Sequence, residues 1–354
     1  MTTKRTRIEE LDVFRGLASA SVLLFHYIVR YPQLYPRAHT SAGWERVIAA
    51  ASALTTADIG VLAVYVFFVI SGFVIVWTVD RCGTWQDFVV SRFSRLYPTY
   101  WTAMLLTTAV GVLAPLPGQH YPASMVMANL TMLQGVANIP DVDGVYWSLF
   151  VELVFYVMIA LIFVAGQMHR IHEICLLWLL IGISSFVLVT HGVGVPWRIQ
   201  KYLLLHYAHF LISGIMLYQL WTGRRVLFSY IVLGLCVCSF MAAYPWNDAL
   251  VCAGVLVLFG LALGGWLRWI SVPPLRWLGA ISYALYVIHQ MIGYRIIRTA
   301  EAYGVSQVAA FLLATAAALA IASAITYLIE RPAMRAIRGA WRTRQAVAVQ
   351  GSAG

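Results

Sequence analysis

The residues best placed to do chemistry stand inside the apolar stretch from Leu11 to His26, which holds an arginine and a histidine. Arg15 and His26 are eleven positions apart. At about 100° per residue they return to within roughly 20° of one face, about 16 Å apart along the axis. Asp12 and Ser19 fall within about 60° of that line. A helix here shows its neighbours a polar stripe of Asp12, Arg15, Ser19 and His26. Ionisable groups at membrane depth are costly and are usually kept for a function. The plainer reading is an Asp12–Arg15 ion pair at i, i+3 and a satisfied core histidine.

A second candidate group lies in Tyr146–Tyr156, where Glu152 is flanked at i±4 by Ser148 and Tyr156 on one helix face. A carboxylate at this depth, with no lysine near it in sequence, needs a partner. His26 is the best match, because both residues fall in the outer half of the membrane. A neutral imidazole steadied by a carboxylate is the equipment of general base catalysis. Arg92 and Arg95, three apart and followed by Tyr97 and Pro98, read as two guanidiniums at a helix start. They suit a phosphate-bearing ligand on the inner side, or simple positive-inside anchoring. Ser71 beside Gly72 is a small packing surface or a narrow channel wall. Ser282, Tyr286 and His289 share a face at i, i+4, i+7. His206 and His209 are too few for a metal and read as packing or pore lining; no metal site is expected.

The elements that must hold these residues are helices in a bilayer. The chain has 354 residues, is 61% hydrophobic and only 11% charged, a balance that excludes a soluble globular domain. The expected fold is all-α: a polytopic integral membrane protein with about ten transmembrane helices. They fall near 11–30, 58–79, 97–114, 145–165, 174–190, 202–221, 226–243, 248–267, 280–298 and 307–329. An even number of spans puts both termini on one side. Arg81, Arg92, Arg95, Arg224, Arg225 and Arg335 are among the basic residues that make that side cytoplasmic. The net charge of +10 then reflects topology and contact with anionic membrane lipid, and no nucleic-acid partner is expected. No cleavable signal peptide is read at the start. The five cysteines form neither a disulfide framework nor a zinc site. Residues 44–54 read as an interfacial helix. Residues 1–340 form the membrane domain, and 341–354 a basic, then flexible, cytoplasmic tail.

Taken together the motifs resemble the membrane-bound acyltransferase-3 family. The arginine and histidine separated by ten residues are Arg15 and His26. The FFxISGF element is Phe67–Phe73, the RxxR element is Arg92 and Arg95, and the WSLxVE element is Trp147–Glu152. SYxLYxxH is Ser282–His289, and YxxIExP is Tyr327–Pro332. They run in family order over most of the chain. Leu153 stands where family members often carry a second acid. The resemblance implies a multi-pass protein of the bacterial cytoplasmic membrane. It would move an acyl group, usually acetyl, from cytoplasmic acyl-CoA to a hydroxyl. Acceptors are typically sugars of surface or exported glycans or lipid-linked sugars, in some members macrolides. It also implies His26, Glu152 and Arg15 as catalytic residues and Arg92, Arg95 and Tyr97 as acyl-CoA ligands. Asp12, Ser19, Ser71, Trp147, Ser148, Tyr286 and His289 would line the channel or the acceptor site. Acyl-CoA is then a co-substrate, with no cofactor bound. The rival class is a proton-coupled transporter or flippase, which also uses buried Arg, His and Glu.

Overall fold

A computed structural model describes residues 8–36, 43, 45–46, 49–50 and 59–351. The interfacial helix expected at 44–54 lies mostly outside the described residues. The described chain is all-helical, with no strand. In order come α1 (Glu9–Phe25), a π-turn at His26–Arg30, α2 (Tyr31–Leu34), α3 (Ile59–Val79), α4 (Trp85–Leu113), α5 (Ala123–Leu130), α6 (Tyr146–Val164) and α7 (Ile171–Thr190). Then follow α8 (Trp197–Tyr202), α9 (Ala208–Trp221), α10 (Val226–Ala243), α11 (Trp246–Leu263), α12 (Pro273–Ala302), α13 (Gln307–Ile325), a second π-turn at Thr326–Glu330, and α14 (Arg331–Gly351). Helix α14 covers the segment read from sequence as a flexible tail.

Seven helices among the described residues are long and apolar enough to cross a membrane. Three segments expected to span fall outside that set. Helix α9 has 14 residues, about 21 Å, against a hydrocarbon core of about 30 Å. Helices α4 and α12 are long enough, at 29 and 30 residues, but more polar in composition.

The chain forms two compact units: Met1–Arg81 with Val151–Ala280, and Cys82–Phe150 with Ile281–Gly354. In the first, α3 and α9 meet backbone to backbone. A Cβ on Gly72 would collide with the Leu211 carbonyl, and one on Gly214 with that of Val69. The Ser71-Gly72 pair is thus a close-packing surface, as its composition predicts. Helix α1 approaches the first turns of α12 in the same way, where a Gly16 Cβ would stand 2.6 Å from the Gly279 nitrogen.

In the second unit α4 begins earlier than expected. Thr84 and Asp87 form a capping box: the Asp87 N–H donates to Thr84 Oγ1 (3.2 Å) and the Thr84 N–H to Asp87 Oδ2 (3.0 Å). Arg92 and Arg95 therefore lie well inside a helix, not at its start, and the helix-terminus argument for a phosphate there fails. Pro98 sits mid-helix, where it has no N–H for the Ser94 carbonyl. Helix α14 is fastened to the head of α4. Trp341 Nε1 and Gln345 Nε2 each donate to Asp87 Oδ1 at 2.7 Å, and Arg338 Nε donates to Ser94 Oγ at 2.9 Å. The Trp341 bond above all holds the Asp87 carboxyl below the usual carboxylate range.

The segment before α6 is tied down through its polar groups. Asn129 Nδ2 donates to the Pro140 carbonyl (3.0 Å), and its Oδ1 accepts from the Val142 N–H (3.1 Å). Asp143 is fully buried and accepts backbone N–H bonds from Met291 (3.0 Å) and Val145 (3.3 Å). Burial pushes its carboxyl up to about 7, with the two N–H groups pulling the other way.

Candidate active site

Within the first unit, His26 opens the π-turn that ends the helical run of α1. Its backbone N–H is shared between the Val22 and Leu23 carbonyls, and the Tyr31 N–H reaches back five residues to the His26 carbonyl. Such single wide turns occur often at functional sites. The His26 ring is partly buried, and its Nδ1 lies 2.8 Å from the Val22 carbonyl oxygen. A carbonyl only accepts, so Nδ1 carries the proton and the lone pair of the neutral ring lies on Nε2. The helix backbone thus sets the tautomer.

Glu152 lies in the same unit. It accepts from Ser71 Oγ at 2.7 Å and from the Tyr156 hydroxyl. Among the described residues both of its hydrogen bonds come from neutral hydroxyls, and none joins it to the His26 ring. The sequence named Tyr156 as a flanking residue on the polar face and Ser71 as a wall residue. The structure brings both onto the carboxylate. Arg15 Nη1 is 3.9 Å from Asp12 Oδ1, which is the plainer ion pair. Ser19 is buried and spends its hydroxyl on the Gly16 carbonyl at 2.9 Å.

The second unit groups another set. Arg95 Nη1 pairs with Glu330 Oε1, and Thr99 Oγ1 donates to Glu330 Oε2 at 3.2 Å. The Glu330 side chain is 2% exposed, and it closes the second π-turn, Thr326–Glu330. The Arg95 guanidinium also lies over the Tyr283 ring, 5.7 Å from its centre. Sequence reading had placed Glu330 in a motif without giving it a role. The signal was there: a carboxylate ending an apolar helix needs a cation or several donors. Arg338 interacts electrostatically with both Arg92 and Arg342, so three guanidiniums share one neighbourhood.

Tyr97 donates to the Thr131 carbonyl (3.0 Å) and stacks on Phe93 with ring centres 4.8 Å apart. Ser148 Oγ and the Tyr286 hydroxyl are 2.6 Å apart, and Tyr286 also donates to the Val145 carbonyl at 3.2 Å. His289 is fully buried, with Nδ1 2.8 Å from the Tyr286 carbonyl and 3.1 Å from that of Leu285. Trp147 is partly buried at the start of α6. No group of His, Cys, Asp and Glu able to hold a metal ion occurs among the described residues.

The chain is 26% identical over 296 residues to the exopolysaccharide production protein ExoZ of Rhizobium meliloti (strain 1021), covering 78% of this chain and 90% of that protein. No solved structure gives a significant match. The model of the acyltransferase-3 family, described as an acyltransferase domain, matches residues 8–327, from the start of α1 to the second π-turn, and the chain therefore belongs to that family.

Proposed function

We propose that the protein is an acyl-CoA-dependent O-acyltransferase of the bacterial cytoplasmic membrane. It moves an acetyl group from a cytoplasmic donor to a hydroxyl of an exported or surface glycan. Ten spans with both termini in the cytoplasm are part of this reading. Helices α4, α9 and α12 then cross the membrane in the company of their neighbours. The relative's name, an exopolysaccharide production protein, supports a glycan acceptor. One observation carries the chemistry: His26 Nδ1 is held by the Val22 carbonyl, which leaves Nε2 as the base.

His26 Nε2 takes the proton of the acceptor hydroxyl as its oxygen attacks the thioester carbonyl. The carbon–sulfur bond then breaks, and the thiolate recovers the proton from the imidazolium. The products are the O-acyl ester and free CoA. Positioned base catalysis of this kind is worth about 10²–10⁴ in rate. The Val22 carbonyl fixes the ring, and Glu152 offers negative charge that stabilises the imidazolium form in a low-dielectric setting. Arg15 lines the donor path or supports the oxyanion, with Asp12 as its counter-ion. Arg92 binds the phosphates of CoA together with Arg338 and Arg342, the two guanidiniums in its electrostatic neighbourhood. Arg95 has its charge partnered by Glu330, so its share in phosphate binding is smaller.

The test is release of CoA thiol from acetyl-CoA by purified protein with an acceptor glycan. Wild type should release thiol and acetylate the glycan, and His26→Ala should do neither while remaining folded. Full activity in His26→Ala would remove the base assignment.

A further inference from the structure

A cavity of about 170 Å³ lies within the first unit, between α7, α9, α10 and the segment joining α8 to α9. Gln200, His206, His209, Ser185 and Ser239 line it among apolar neighbours. Its lining contains no Lys, Arg, Asp or Glu. Two polar lining residues are more than nine-tenths buried, Ser185 and His209, and one of them holds a polar atom without a partner among the described residues. Ser185 is 7% exposed. His209 is 5% exposed, and its Nε2 is unpartnered. Its Nδ1 has only a long contact, 3.5 Å, with Ser239 Oγ. Phe186 is the aromatic residue of the lining, and Tyr244 packs against the two histidines, its ring centre 5.7 Å from that of His209 and 6.0 Å from that of His206.

A buried polar group left without a partner costs about 1–3 kcal/mol. The His209 nitrogen on this cavity wall is what a ligand would satisfy. The lining also defines that ligand. With no charged residue present, a phosphate, carboxylate or ammonium would enter uncompensated, so the occupant is neutral. The hydroxyl, imidazole and amide groups both donate and accept, which matches hydroxyl groups. An apolar cavity of about 150 Å³ holds one benzene ring, so this volume admits a single six-membered ring.

We infer that this cavity is a binding subsite for one neutral sugar ring, the acceptor glycan or its lipid-linked form. The identification of the ligand rests on the glycan-acceptor reading above. The cavity itself is separate from His26, Glu152 and the arginine cluster.

The experiment measures binding without any acyl donor. Full-length protein in a sugar-free detergent is titrated with methyl glycosides, and saturation-transfer NMR reads contact with the ring protons. Wild type should show saturation of ring protons with at least one neutral glycoside. Ser185→Ala and Ser239→Ala should each weaken it about three- to tenfold, the value of one hydrogen bond. Ser185→Val, which fills the space, should abolish it while the thermal unfolding midpoint stays within a few degrees. Absence of saturation in wild type for every glycoside tested overturns the inference. So does binding that Ser185→Val leaves unchanged. Binding that follows this pattern in a protein that never acylates a glycan would keep the subsite and remove the acyltransfer reading, so the two failures are distinguishable.

Discussion

Glu152 in the first unit and Glu330 in the second are the same residue type solved in opposite ways. Glu330 is matched by a guanidinium and a hydroxyl, and its charge is spent on Arg95. Glu152 is held by two neutral hydroxyls, Ser71 and Tyr156, with no Lys or Arg on it among the described residues. Hydroxyls satisfy lone pairs without cancelling charge. A carboxylate kept that way remains able to stabilise a positive charge that appears and disappears. A carboxylate already paired is architecture. The difference is between a charge already paired and one held without a cation among the described residues, though both stand in apolar helices.

The largest test of this contrast is at the base itself. His26→Ala should lower acyl transfer by about 10²–10⁴, with little change in thermal stability. A loss of folding instead of rate would move His26 to the structural side. Next, Glu330→Gln should cost about 3 kcal/mol of stability, because it strands the Arg95 charge. The unfolding midpoint in detergent checks this, and an unchanged midpoint would mean the pair is dispensable. Glu152→Gln should do the reverse. The amide oxygen can still accept from Ser71 and Tyr156, so the fold should hold, while transfer should fall roughly 10- to 200-fold from the lost charge. Equal activity in Glu152→Gln would end the distinction drawn here. Arg338→Ala should raise KM for acyl-CoA about tenfold with little effect on kcat. An unaltered KM would return α14 to a purely structural role.

A third carboxyl sharpens the picture. Asp143 is held by backbone N–H groups alone, with its carboxyl pushed up to about 7 by burial. The folded state therefore keeps a proton that the unfolded chain gives up near 3.8. Its contribution to stability is full below that value and is lost as pH rises through about 7. Unfolding midpoints across pH 4–8 should fall more steeply for wild type than for Asp143→Asn. Parallel curves would show that Asp143 does not titrate in this range.

Much of this was legible in the residues. The apolar runs located the long helices, and the 3.6-residue period placed Asp12, Arg15, Ser19 and His26 on one stripe. It also set Tyr156 beside Glu152, whereas Ser148, expected on the same face, bonds Tyr286 and the Val145 carbonyl instead. What stayed hidden depends on long-range or cooperative geometry. The Arg95–Glu330 pair joins residues 235 positions apart, and no local pattern marks it. The start of α4 was misplaced because Arg92 and Arg95 interrupt the apolar signal, while the Thr84–Asp87 capping box that opens the helix is polar. A carbonyl one turn away holds the Nδ1 of His26, a contact within its own helix that the polar stripe does not mark.

The π-turn at His26 has a consequence for how the first helix is numbered in space. Each wide turn lodges one residue more than a regular coil, so the faces beyond it are rotated by about 100° against the faces before it. Val29 lies in that turn and Tyr31 just past it, and both are buried. Removing a single residue between Tyr27 and Arg30 would restore the regular pitch and swing the end of the rod, turning the Tyr31 ring away from the interior it fills without altering its identity.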